Sequence, residues 1–271
     1  MKKLLFFIPV LFVLSCAKVP ITQRKQVNLL PESQVMAMSL TEYRNFLSEH
    51  PPVPATNSNA AMVKNIGSRI STAVDQYMRK NGQAKRIEGY KWEFNLVEDK
   101  QINAWCMPGG KVVVYTGLLP VTQDETSLAF VMGHEIAHAV ARHGNERMSQ
   151  MLLATTGALA LDVALSQKPQ ETRNIFMTAY GVGTQVGVLL PYSRTHESEA
   201  DKLGMVFMAM AGYNPSNAYK VWERMSASAG GGKPPEILST HPSDATRMKN
   251  MKEFLPQAMK YYKPAATTGK M

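Results

Sequence analysis

Cysteine is almost missing from this 271-residue chain, which has only Cys16 and Cys106. A disulfide-stapled fold is therefore excluded, and the core must hold by packing alone. Cys106 sits in Asn-Ala-Trp-Cys-Met-Pro-Gly-Gly with no neighbouring base to activate it, so it reads as a small packed residue. Acid is also scarce: 21 Asp and Glu face 30 Lys and Arg, for a net charge of +9. The excess is not gathered into a basic run interleaved with aromatics, and no nucleic-acid motif is present. A solvated basic surface is the reading, without a nucleic-acid partner. Nor is there an uninterrupted apolar run long enough for a bilayer. Residues 148–165 are broken by Asp162, and residues 175–190 by Thr178, Thr184, Gln185 and glycines. These stretches are expected as buried or membrane-facing helices joined by an exposed loop at 168–172. Internal repeats are absent.

The N-terminus has what the rest lacks. Lys2 and Lys3 precede an apolar stretch at 4–14 broken only by Pro9, too short for a span and suited to a signal peptide over residues 1–15. Val13-Leu14-Ser15-Cys16 resembles a bacterial lipobox, so Cys16 is the expected lipidation site, with Ala17 after it. This predicts a membrane attachment through an N-terminal lipid, at the periplasmic face of the outer membrane. Residues 16–30 are expected as an extended polar tether, and the tail from 263 as disordered.

Periodicity supplies the elements between. Pro31 opens a helix to about residue 47, and Met62, Ile66, Ile70 and Val74 share a face of a second over about 59–78. Trp92, Phe94 and Leu96 alternate as in a strand. Two more strands, 102–107 and 111–116, flank the turn Pro108-Gly109-Gly110. Further helices are expected over 193–211, 215–227 and 243–261, the last interrupted near Pro256.

Within residues 133–144, His134, Glu135 and His138 form H-E-x-x-H. On a helix, i and i+4 share a face, so both imidazoles can reach one metal ion, while Glu135 is placed to take a proton from metal-activated water. Thr122 and Glu125 fit a capping box at the start of this helix, and Gly144 fits its end, giving about six turns. A catalytic zinc wants a third protein ligand. The metzincin spacing is absent, because Ala141 and Gly144 stand where glycine and histidine are required. His143 lies roughly 140° around the helix from His138 and is expected at the surface or helix end. Glu197, in Ser-Arg-Thr-His-Glu-Ser-Glu-Ala-Asp, is the candidate. Asp201, one turn on, shares its face and could hold the far nitrogen of a ligand histidine. His196 and Glu199 lie off that face and read as structural.

These segments, together with Asn103–Gly117 and His241-Pro242, resemble the zinc metallopeptidase family of the CAAX prenyl endopeptidase, HtpX and Oma type, in its periplasmic lipoprotein branch. The resemblance runs from about residue 27 to 254. It implies an α+β, mainly helical, zincin-like fold: a single domain over 31–262 with a small antiparallel sheet beside the active-site helix. By the same resemblance His134, His138 and Glu197 bind one Zn2+ per chain, and Glu135 is the catalytic base. His241 either lies near the metal or is a loop histidine before a helix capped by Ser243. Arg194 and Arg247 fall where the family often has arginine and could balance buried carboxylates. The expected activity is zinc-dependent endopeptidase cleavage of misfolded or misassembled envelope proteins. The substrate polypeptide would pair along an edge strand containing Val112, Val113, Val114 and Tyr115. A chaperone or assembly factor with a latched or non-catalytic zinc site is the alternative. Oligomeric state is left open.

Overall fold

The computed structural model describes residues 16–156, 169–180, 194–228, 235–241 and 245–264. The expected signal segment, parts of both apolar stretches, Ser243 and the tail from 265 lie outside the described residues. The architecture is α+β and mainly helical, with a small mixed sheet against the motif helix.

The chain begins with an antiparallel pair, β1 (Cys16–Lys18) and β2 (Lys25–Val27), in which Cys16 faces Val27. Residues 16–30 are thus not an extended tether. Val19, Gln26 and Leu30 are buried, and Gln26 Nε2 donates to the Ala141 carbonyl at 2.9 Å. The polar composition that suggested a solvated tether instead serves hydrogen bonds to the domain. Helix α1 (Glu32–Glu49) follows Pro31. Helix α2 (Ser58–Lys80) is capped by Asn57, whose side chain accepts from Asn59 N and Ala60 N, and it buries Val63, Ile66, Ile70 and Val74.

The sheet comprises β3 (Glu93–Val97), β4 (Ala104–Met107) and β5 (Lys111–Tyr115), in the order β3-β5-β4. The hairpin β4–β5 is antiparallel, with Gly109 and Gly110 at φ 87 and 81. That is backbone a side chain would strain. The pairing of β3 with β5 is parallel, so the sheet is mixed where an antiparallel one was expected. The cause is topological: the chain reverses after β3 and again after β4, so β5 returns in the direction of β3 and inserts beside it. Strand alternation divides the core. Val112, Val114 and Cys106 face one cluster with α2 and the motif helix, while Val113, Tyr115 and Trp105 face another with Tyr43, Phe46 and Phe176.

A short helix α3 (Leu119–Thr122) ends where the motif helix was expected to start. The motif helix α4 runs Glu125–Val140, 16 residues, with Asp124 as its N-cap accepting from Ser127 N. The Thr122–Glu125 capping box is therefore not formed, because Thr122 belongs to the preceding turn. At the other end Arg142 takes the positive φ of 60. Gly144 instead lies in the first turn of α5 (His143–Thr156), where a Cβ would sit 2.1 Å from the Tyr180 ring.

Helix α6 (Pro169–Tyr180) packs on α5, and Thr172 is buried in its first turn, so most of the expected exposed loop is helical. Helices α7 (Arg194–Met210), α8 (Lys220–Ser228), α9 (Glu236–Thr240) and α10 (Ala245–Met259) complete the described chain. Pro256 does not interrupt α10: so near the helix end it removes one backbone hydrogen bond without stopping the last turn. Helix α4 packs most extensively on α7, and α10 covers α7 from outside. Among the described residues, no helix is long and apolar enough to cross a membrane.

Candidate metal centre

Helix α4 carries His134, Glu135 and His138 in its second half, all buried. The two Nε2 atoms lie 3.1 Å apart. Glu197 enters from the first turn of α7, with Oε2 3.4 Å from His134 Nε2 and Oε1 3.4 Å from His138 Nε2. His241, just past α9, places Nδ1 3.4 Å from His134 Nε2 and 2.9 Å from Glu197 Oε1. One atom from each of the four residues lies within 4.8 Å of the others.

The donor set fits zinc in its dimensions and in its protonation. Ligand bonds of about 2.0–2.1 Å in a tetrahedron put donor atoms about 3.3 Å apart, close to the separations found here. The protonation pattern agrees. Asp201 Oδ1 faces His134 Nδ1 at 3.0 Å, and His143 Nδ1 faces His138 Nδ1 at 3.0 Å. With a proton held on each Nδ1, both Nε2 lone pairs point at one another and at a carboxylate, an arrangement suited to a bound cation. Glu135 Oε1 is buried beside them, without a hydrogen-bond partner among the described residues.

The surroundings hold the negative charge in place. Arg247 grips Asp201 with Nε at 2.7 Å from Oδ2 and Nη2 at 2.8 Å from Oδ1, and its Nη1 lies 2.7 Å from Glu197 Oε2. Trp222 Nε1 donates to Asp201 Oδ1 at 3.2 Å, and the Arg247 guanidinium stacks 4.4 Å above the Trp222 ring. Burial raises the Glu197 carboxyl, but His241 and Arg247 outweigh it and hold it well below the usual range. Asp201 is likewise lowered: burial opposes, and Arg247 prevails. For His134 burial is outweighed by Asp201 and Glu197, and its pKa rises, whereas burial drives His138 well down. Glu135 is pushed up to about 7, first by burial and then by Glu197, against the pull of His241 and Arg247.

Several residues stand elsewhere than expected. His143 is fully buried under His138, not at the surface. The 140° offset assumed an unbroken helix, but α4 ends at Val140 and the turn at Arg142 sends the chain back. Glu199 Oε2 accepts from His143 Nε2 at 3.1 Å, and His196 Nε2 lies 3.0 Å from Glu146 Oε2, so both belong to a polar layer beneath the centre. Arg194 is exposed at the start of α7. Val112, Val113, Val114 and Tyr115 form the central strand, paired on both sides and buried, so they offer no edge to a peptide. Three consecutive valines are what a strand buried on both faces shows. The edge beside α4 belongs to β4. Cys106, on β4, is buried, which raises its thiol pKa well above the ordinary value. Trp222 carries no motif and was not singled out from the sequence, nor was Arg24, which contributes to the polar layer from the other end of the chain.

A helix-borne pair of imidazoles, a carboxylate from a second helix and a small sheet beside them define a zincin-like metal centre. The chain belongs to peptidase family M48, whose family model matches residues 68–255. It is similar to the mitochondrial metalloendopeptidase OMA1 of Schizosaccharomyces pombe, at 32% identity over 246 residues, covering 89% of this chain and 66% of that protein. It is 29% identical over 248 residues to the mitochondrial metalloendopeptidase OMA1 of Homo sapiens, covering 89% of this chain and 46% of that one. The beta-barrel assembly-enhancing protease of Escherichia coli is 30% identical over 162 residues, 58% of this chain and 33% of that protein. The chain thus spans less than two-thirds of the length of these relatives. The cofactor that family and donor set agree on is zinc.

Proposed function

We propose that this chain is a zinc-dependent endopeptidase in which His134, His138 and Glu197 hold the metal and Glu135 is the general base. The observation that carries this reading is the buried Glu135 carboxyl, one residue from His134, beside a donor set of zinc dimensions. Zinc, when bound there, supplies a Lewis acid that polarises the peptide carbonyl and acidifies water. Glu135 removes the proton of the attacking water and delivers it to the leaving amine nitrogen. A carboxylate is suited to both transfers, since it accepts a proton when ionised and donates one when protonated. Asp201 and His143 orient the two imidazoles from behind.

The polypeptide substrate pairs main chain to main chain with β4, which has no strand on its second side among the described residues, once that buried edge is uncovered. Such binding makes few demands on side chains and suits misfolded or misassembled proteins of the cell envelope. The envelope placement, with a signal peptide removed before a lipidated Cys16 at the outer membrane, rests on the pattern at 1–16 and on the bacterial relative. Glu135→Gln tests the catalytic reading. The variant should bind zinc as the parent does and lose at least a hundredfold in the rate of cleavage of an unfolded protein. Retained turnover removes Glu135 as the base.

One observation favours the second reading, a chaperone or assembly factor with a latched site. His241 takes the fourth corner of the donor set, 2.9 Å from Glu197, so cleavage requires it to withdraw. If Glu135→Gln supports envelope function as fully as the parent chain, holding rather than hydrolysis is the activity.

A further inference from the structure

We propose that Arg24, in the turn between β1 and β2, is a positioning residue for His138, acting through Glu199 and His143. The inference rests on His138 being a zinc ligand and goes beyond that reading.

The two ligand histidines are supported differently. His134 has a carboxylate, Asp201, directly behind its Nδ1. His138 has another imidazole: its Nδ1 faces His143 Nδ1 at 3.0 Å. Two ring nitrogens facing each other need one proton between them, and either ring can carry it. If His143 carries it, His138 must protonate Nε2 and loses the lone pair a metal requires. If His138 carries it, Nε2 is free to bind.

Glu199 decides between these states. Its Oε2 lies 3.1 Å from His143 Nε2. A carboxylate only accepts, so His143 places its proton on Nε2 and turns the Nδ1 lone pair towards His138. His138 then donates from Nδ1 and presents Nε2 to the centre, 3.4 Å from Glu197 Oε1. The direction of the whole relay is set by the orientation of the Glu199 carboxylate against His143 Nε2.

That orientation comes from the N-terminal turn. Arg24 Nε donates to Glu199 Oε1 at 2.9 Å and Arg24 Nη2 to Oε2 at 2.9 Å, while Thr22 Oγ1 donates to Oε1 at 2.7 Å. The same guanidinium reaches Glu146, with Nη1 at 2.8 Å from Oε1 and Nη2 at 2.7 Å from Oε2. It therefore sits between two largely buried carboxylates that would otherwise repel each other. His196, held by Glu146, stacks on His143 with ring centroids 4.4 Å apart and so fixes the plane of the relay ring. Val19 N–H donates to the Arg24 carbonyl at 2.9 Å, which ties the arginine to the β1–β2 pair. A guanidinium suits this place because its planar fork serves two carboxylates at fixed angles, which an ammonium cannot do.

The test is zinc affinity, measured by chelator competition on the whole chain, together with the ring 15N shifts of the histidines in the zinc-loaded protein. Glu199→Gln and Arg24→Ala should weaken zinc binding roughly 10- to 100-fold, as loss of an outer partner of a ligand histidine does. Glu199→Gln should also move the His143 proton from Nε2, because an amide can donate as well as accept. Arg24→Lys should fall between parent and Arg24→Ala. If Arg24→Ala fails to fold, Arg24→Lys and Thr22→Val, each removing only part of the grip on Glu199, must still lower the affinity severalfold. His138→Ala separates the two levels. Unchanged zinc affinity in His138→Ala overturns the ligand assignment itself. A large loss there, with parental affinity and parental ring shifts in Arg24→Lys and Glu199→Gln, overturns the relay alone.

Discussion

A Cβ on Gly204 would lie 2.9 Å from the backbone nitrogen of His134 and 3.1 Å from its Cα. The reverse approach is also close, since a Cβ on Gly133 would meet the Gly204 carbonyl oxygen at 3.1 Å. Two glycines thus let α4 and α7 touch backbone to backbone, which brings Glu197 within reach of His134 and His138. Gly204→Ala should push the helices apart and cost about 1–3 kcal/mol despite alanine's better helix propensity. Zinc affinity should fall with it. Urea unfolding and chelator competition on the variant measure both, and parental values for the two would show that the close crossing does not shape the site.

Arg247 contacts both Asp201 and Glu197. Arg247→Met leaves two buried carboxylates without it and should destabilise the apoprotein by about 3–5 kcal/mol. Arg247→Lys should recover little, because one ammonium cannot serve two oxygens of Asp201 and one of Glu197 together. Denaturant midpoints at constant slope are the measure. A loss below about 1 kcal/mol for Arg247→Met would mean that the carboxylates find other partners.

Metal removal should be felt as stability. A ligand present at a thousandfold excess over its Kd stabilises the folded state by about 4 kcal/mol. For a domain of this size that corresponds to a melting temperature about 8–16 °C lower after chelation. Calorimetry with and without a chelator, followed by zinc addition, checks the shift. An unchanged and unrestorable melting point would argue that the four donors hold no ion.

Acid should weaken the apoprotein through the polar layer. Glu199 is lowered from 4.5 to about 2: burial opposes, and hydrogen bonds from His143, Arg24 and Thr22 prevail. Glu146 is lowered as well, burial again being outweighed by Arg24 and His196. A carboxyl depressed in the folded state contributes stability that is complete above its unfolded pKa and disappears as pH falls through the folded value. The loss should therefore run from about pH 4.5 down to about 2. Arg24→Ala should move the acid-unfolding midpoint upward. A circular dichroism titration of the chelated protein gives the midpoint, and coincident curves for parent and variant would deny these carboxylates a share in acid stability.

The parts of the site legible in the sequence are those governed by a single element. His134, Glu135 and His138 follow from helical spacing, and Glu197 and Asp201 from the same rule applied to another segment. His143 escapes the rule because α4 stops at Val140, before it. Its true end is marked by an unremarkable arginine in the left-handed region, with the glycine two residues on serving a different contact. The strand at Lys111–Tyr115 was visible as a strand, but not as the middle one, since alternation shows which faces are buried and not which strands lie alongside. Arg24 gave no sign: nothing near it in the chain needs a cation, and Glu199 is 175 residues away.

By itself the sequence determined that His134, Glu135 and His138 lie together on one helix and Glu197 and Asp201 on one face of another, because covalent geometry and the helical repeat set these within a few residues. Tertiary structure alone decided that His241 shares the centre, that His143 stands behind His138 and that an N-terminal arginine holds the carboxylate behind both. Those relations depend on how elements far apart in the chain pack, and packing responds to the shape and charge of whole surfaces, of which a local pattern carries no record.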